Sequence, residues 1–199
     1  MQNTKRHTIL FSVLFIGMLF LFVLNISLGS VSIPFQDVFK SLIGESASKE
    51  TWNYIILNYR LPKTITAILA GMGLSISGLL MQTLFRNPLA GPYVLGLSSG
   101  SSLGVALVIM GAVFIPAFSD SLLLSSYGIV IASCMGSFLV LLAVLFVSQR
   151  LRDTMSILIV GLMFGAFTTA FVGILAYFSS AEQLQKFTFW SLGNLGNLS

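Results

Sequence analysis

The chain has 199 residues, 56% of them hydrophobic and only 8% charged, with a formal net charge of +4. Soluble domains are roughly 25% charged, so a soluble globular domain is excluded and an integral membrane protein is implied. The basic residues are scattered without a stripe, which argues against nucleic acid as a partner, and the single Cys134 cannot form an internal disulfide.

Uncharged runs occupy residues 8–36, 64–85, 87–119, 121–149 and 154–181. Crossing a bilayer takes ~20 apolar residues in a helix, and lipid offers backbone amides no partner, so such runs must be helical. The expected fold is an all-α polytopic membrane bundle with spans at about 8–29, 61–84, 92–113, 127–147 and 154–178. Its first apolar run exceeds the ~7–15 residues of a signal peptide, and Ser27-Leu28-Gly29 is a poor cleavage site. The run is therefore expected to be a retained first helix. Lys5, Arg6 and the sole histidine, His7, flank it, and cations in a short terminal segment stay in the cytoplasm.

Residues 30–59 form the longest polar segment. Within it Ser32 is placed as an N-cap with Pro34 in the first turn, which predicts a short amphipathic helix over 34–43 on the outer face. In span two, Ala67, Gly71 and Ser75 recur at four-residue spacing, with Gly73, Ser77 and Gly78 on other faces. Small residues let helix backbones approach closely, so this helix is expected to be central. Asn87, Pro88 and Pro92 then make an inner hinge, because each proline pushes the preceding residue out of helical geometry.

Span three opens with Gly96, Gly100 and Gly104, and an outer loop over 114–126 holds Pro116 and Asp120. Span four carries Gly128, Ala132 and Gly136, and Arg150, Arg152 and Asp153 make a short inner loop. Span five repeats the pattern with Gly161, Gly165, Thr169 and Gly173. A helix over 181–192 on the outer side precedes the glycine-rich segment 193–197. With the N-terminus inside, Lys5, Arg6, Arg86, Arg150 and Arg152 face Lys40, Lys49, Arg60, Lys63 and Lys186 outside. The positive-inside rule is therefore balanced, and it favours a cytoplasmic N-terminus only if Arg60 and Lys63 are held outside for function.

Three chemical motifs fall away on the residues. Gly96-Leu97-Ser98-Ser99-Gly100 has the form of a nucleophile elbow, yet a serine nucleophile at Ser98 needs a base. Beyond Lys63 at the start of span two, spans two to five contain no histidine, acid or lysine. The Gly-Lys-Ser/Thr of a phosphate loop is missing, and clustered metal ligands are absent too. A secondary transporter would place ionisable groups inside its spans, and beyond Lys63 at the edge of span two these have none.

The stretch from Arg60 to Gly104 also carries a resemblance. Arg60-Leu61-Pro62-Lys63, Ser77-Gly78 with Met81-Gln82, Phe85-Arg86-Asn87-Pro88-Leu89-Ala90, and Leu95-Gly96 with Ser98-Ser99-Gly100 resemble the signature of the FecCD-type ABC importer permeases for iron siderophores, haem and vitamin B12. The resemblance implies a multi-pass permease subunit in a bacterial inner membrane, pairing with a second copy or a related permease. It further implies ABC ATPase subunits that use ATP on the cytoplasmic side, an extracytoplasmic substrate-binding protein, and no catalysis, metal or cofactor in the permease itself. Such permeases typically have ten spans, so an N-terminal part or truncated product, unable to transport alone, is expected. Basic residues flanking this Leu-Pro take carboxylates of the binding protein in the family, which carries to Arg60 and Lys63. Lys63 keeps the charge where many relatives have Arg, but without the bidentate fork. Span five and the helix after it line the translocation path in the family, which nominates Thr168, Thr169 and Trp190. Gly71, Ser75, Gly78, Gly96, Gly100, Gly104, Gly161 and Gly165 are expected to serve helix packing.

Overall fold

The computed structural model describes residues 2–111, 123–151 and 153–193. Helices dominate, and among the described residues four are long and apolar enough to cross a membrane. The chain divides into two compact units, with the division between Met72 and Gly73.

In the first unit, α1 (Gln2–Ser27) is apolar on all sides and leaves Phe11, Leu14 and Leu21 more than half exposed. A helix that is hydrophobic all round belongs in a core or in lipid, and here lipid is what remains. α2 (Phe35–Leu42) is the short amphipathic helix the sequence suggests. Its start differs from expectation: Pro34 occupies the N-cap position with φ −58°, no side chain caps it, and Ser32 lies outside the helix. The fixed φ of proline pre-sets that position. α2 seats Val38 in a buried cluster with Ile26, Ile33 and Ile56, closed by Phe22, Leu42 and Trp52. The loop after α2 is tied back by Asp37, whose Oδ1 accepts from Ser48 N at 2.8 Å and from Ser48 Oγ at 2.6 Å.

The second membrane helix starts eleven residues earlier than the hydropathy implies. α3 (Glu50–Ile55), a π-helical turn (Ile56–Arg60) and α4 (Leu61–Phe85) run on as one 36-residue helix. The polar residues of Glu50 to Asn58 conceal this start from any hydropathy window. Pro62 gives the π turn its physical reason. It has no N–H for the Asn58 carbonyl and its ring crowds that carbonyl; the Leu61 N–H bonds five residues back, to Ile56 O.

In the second unit, α4 ends at the expected hinge. Arg86 adopts φ 49°, the left-handed cap position usually given to glycine, at a cost of about 1 kcal/mol. Asn87 N bonds back to Gln82 O, Asn87 Oδ1 accepts from Leu89 N at 2.9 Å, and Gln82 Nε2 donates to Pro88 O at 3.1 Å. A 3₁₀ turn (Pro92–Leu95) leads through Gly96, at φ 74°, into α5 (Leu97–Met110). α5 is apolar but shorter than the expected span over 92–113. Residues 112–122, holding Pro116, Asp120 and most of the expected outer loop, lie outside the described residues, as do Arg152 and residues 194–199.

α6 (Ser126–Ser148), α7 (Thr154–Phe178) and α8 (Ala181–Ser191) complete this unit. Their N-termini are capped by Ser125, Asp153 and Ser180, the last in a capping box with Gln183. α5 meets α6 backbone to backbone. A Cβ on Gly104 would fall 2.1 Å from Ala132 O, and one on Gly136 2.1 Å from Gly100 O. Ser137 Oγ donates to Leu97 O at 2.9 Å across the same interface, where Ser101 and Ser133 also bond. α7 meets the turn before α5 in the same way: a Cβ on Gly161 would lie 2.7 Å from Leu95 Cα. Phe85, Ala90, Leu95, Val140 and Val144 form one buried cluster. A second, around Val105, Ile109, Met110 and Leu175, receives Phe187 and Trp190 from α8.

Testable outcomes follow from these contacts. Gly136→Val forces backbone apart and should destabilise the folded protein by ~3 kcal/mol, read as a large drop in the thermal unfolding midpoint in detergent. Gly173→Ala, whose Cβ meets nothing within 4 Å, should cost no stability. A further outcome concerns pH. The Ser48 hydrogen bonds hold the Asp37 carboxyl below its ordinary value, so their stabilisation is present above ~3.9 and is lost as pH falls through the lower folded value. The protection of the Ser48 amide relative to its intrinsic exchange rate should therefore fall in acid in the native protein and be low at all pH values in Asp37→Ala.

Candidate functional site

The most polar constellation on a membrane helix lies where α1 ends against the π turn. The extra residue of that turn aims Arg60 at the last carbonyls of α1. Arg60 Nη1 donates to Ile26 O at 2.6 Å and to Ser27 O at 2.8 Å, and Nη2 donates to Val31 O. The end of α1 carries unsatisfied carbonyls and partial negative charge, which a guanidinium neutralises through charge-assisted bonds. Gly29 makes this fit possible: a Cβ there would stand 2.9 Å from Nη2 and 3.2 Å from Cζ.

Two further bonds tie the same region. Ser27 Oγ donates to Ile33 O at 2.6 Å. Thr64 Oγ1 lies 2.9 Å from Asn25 Oδ1 and 2.7 Å from Arg60 O. Lys63, one helical turn from Arg60, is exposed and makes no ion pair among the described residues. Arg60 and Lys63 line one open cleft of about 420 Å³ with Asn25, Gly29, Val31 and Tyr59. The two cations singled out from the sequence are thus neighbours in different electrostatic situations, one engaged by backbone and one free to move. Asn25, Gly29 and the π turn were missed. An amide within the first apolar run was the available signal for Asn25 and Pro62 was the signal for the π turn, while Gly29 depends on a contact about thirty residues away.

The nominated path residues do not share one surface. Thr168 is buried, its Oγ1 donating to Phe164 O and Gly165 O at 3.0 Å. Thr169 donates to Gly165 O at 2.8 Å and borders an open groove of about 520 Å³ with Tyr93, Gly96, Ser99 and Gly165. Trp190 packs into the α5–α7–α8 cluster. Ser98 is exposed on the first turn of α5, and α5, α6 and α7 contain no residue able to act as its base. Among the described residues no three His, Cys, Asp or Glu side chains gather as a metal site. Of the packing residues, Gly96, Gly100, Gly104, Gly161 and Gly165 lie against backbone or side chains of another helix. A Cβ on Gly71 or Gly78 would meet nothing within 4 Å, and Ser75 is exposed on the same helix.

Comparison with known proteins places this arrangement. The sequence matches the FecCD transport family over residues 17–199. The hemin transport system permease protein HmuU of Yersinia pestis is 35% identical over 185 residues, covering 92% of this chain and 54% of the relative. The vitamin B12 import system permease protein BtuC of Klebsiella pneumoniae is 31% identical over 144 residues, covering 72% of this chain and 41% of the relative. A solved structure described as an inward-facing conformation of a metal-chelate type ABC transporter superposes with a TM-score of 0.75 at 27% identity, covering 96% of this chain and 55% of that one. The chain spans about half the length of the curated relatives it matches. With that match extending over residues 17–199, the chain belongs to the FecCD transport family.

Proposed function

We propose that the chain is the N-terminal part of a permease subunit in an ATP-driven importer for ferric siderophores or related metal chelates such as haem and cobalamin. The family match over residues 17–199 carries this reading. Membrane helices empty of His, Asp, Glu and Lys from α5 to α7 support it, because such spans offer no ion-coupling group and the driving energy must come from a partner. In this reading two permeases pair around the path and ABC ATPases act below them. An extracytoplasmic binding protein presents its carboxylates to the surface around Arg60 and Lys63. The N-terminus and the hinge at Asn87, Pro88 and Pro92 face the cytoplasm of a bacterium, and Thr169 and Trp190 belong to the path region.

The test uses the full-length permease with its ATPase and binding protein in proteoliposomes. Uptake of a ferric siderophore, haem or cobalamin should require ATP inside and survive dissipation of ion gradients. Uptake that persists without ATP but stops with the gradient would establish a secondary transporter instead. Ser98→Ala should leave uptake unchanged, whereas loss of a hydrolytic activity with folding intact would reinstate the serine-enzyme alternative.

A further inference from the structure

We propose that the groove between α1 and α4, with the cationic cleft at its mouth, is a site for one anionic glycerophospholipid. Its phosphate sits beside Lys63 and Asn25, and an acyl chain lies in the groove. Such a site requires only that α1 and α4 lie in a bilayer, and it is independent of the docking reading above.

Groove and cleft are continuous. An apolar groove of about 580 Å³ is walled by Leu14 and Leu21 of α1 and by Thr64, Ala67 and Ile68 of α4. Asn25 lines both this groove and the cleft that holds Arg60 and Lys63, so one side chain marks where the apolar wall gives way to polar groups. Leu14, Gly17, Leu21 and Asn25 follow one another at three and four residues, on one face of α1. Gly17 leaves the recess open, since a Cβ there would meet nothing within 4 Å.

Length favours a lipid chain. Val13 and Asn25 are the first and last α1 residues along the groove, and the twelve residues between them amount to ~18 Å of helix. One leaflet is ~15 Å deep, half of a ~30 Å hydrocarbon core. A packed membrane helix would follow α1 across the whole core, yet the groove stops at Val13 while α1 continues to Gln2.

Charge favours an anionic headgroup. No acid lines the cleft, and neither Arg60 nor Lys63 makes an ion pair among the described residues. Lys63 is exposed, and an ammonium attracts phosphate as a point charge. Asn25 is exposed as well and accepts from Thr64 through Oδ1 at 2.9 Å. Its amide nitrogen has no acceptor among the described residues, which leaves two hydrogens for phosphate or ester oxygens. Tyr59, half exposed at the same cleft, is a residue type that settles at headgroup level. A zwitterionic lipid would bring a second cation toward Arg60 and Lys63.

The experiment uses the full-length permease with its ATPase, without binding protein, in phosphatidylcholine nanodiscs. These contain a small fraction of phosphatidylglycerol carrying a diazirine at mid-chain. After illumination, adducts are mapped by peptide mass spectrometry. Phosphatidylglycerol should label α1 between Leu14 and Leu21 or α4 at Ala67 and Ile68, about fivefold more than phosphatidylcholine carrying the same diazirine. Lys63→Gln should remove most of that preference. Gly17→Leu, whose side chain enters the open recess, should abolish the groove adduct while adducts on the exposed face of α6 around Phe146 persist. Equal labelling by the two lipids would show ordinary boundary lipid and overturn the proposal. So would labelling of α6 with none in the groove, because protein from the rest of the permease or a second copy then covers it. An adduct indifferent to Gly17→Leu would overturn the placement of the chain, and a preference indifferent to Lys63→Gln that of the headgroup.

Discussion

A membrane helix that ends leaves four carbonyls without intrahelical donors, and lipid supplies none in their place. Each chain reversal described here is a local answer to that constraint. At the end of α1 the answer is a charged side chain from another helix, Arg60. At the end of α4 it is a left-handed arginine followed by an asparagine turn. At the starts of α6, α7 and α8, Ser125, Asp153 and Ser180 supply oxygens for the exposed N–H groups. The polar residues of an otherwise apolar chain are concentrated where the backbone requires them.

Between the ends, contact is governed by size. Lipid tails are as apolar as leucine, so helices gain little from hiding leucines from each other and more from close backbone approach. α5 and α6 achieve this by alternating glycines, Gly100 and Gly104 facing Ala132 and Gly136. The gaps are narrower than any Cβ tolerates, so this interface admits one register. Large side chains such as Phe146, Phe167 and Tyr177 are left exposed on the outer faces, where lipid is a suitable solvent.

Much of this was legible in the sequence. The bounds of α7 coincide with the fifth expected span, because Asp153 supplies a cap and the apolar run is unbroken. The hinge was equally plain from its two prolines. Other features were not, for reasons that are themselves physical. Hydropathy counts burial in lipid and not helical hydrogen bonds, so the polar start of the second helix at Glu50 was invisible. Spacing of small residues announces that close contact is available but not with what. Gly71 and Gly78 follow the same pattern as Gly100 and Gly104, yet a Cβ on either would enter open space. The role of Arg60 depends on carbonyls about thirty residues away, which no local pattern encodes.

The π turn before Pro62 has a consequence for how this helix is drawn on a wheel. An α-helix advances about 100° per residue, and one inserted residue shifts the phase of everything beyond it by about that angle. The face that Trp52 and Ile55 turn inward is therefore not the face that the same arithmetic assigns after Leu61. A uniform helical projection from Glu50 onward would misplace Arg60, Lys63 and Thr64 by a quarter of a turn.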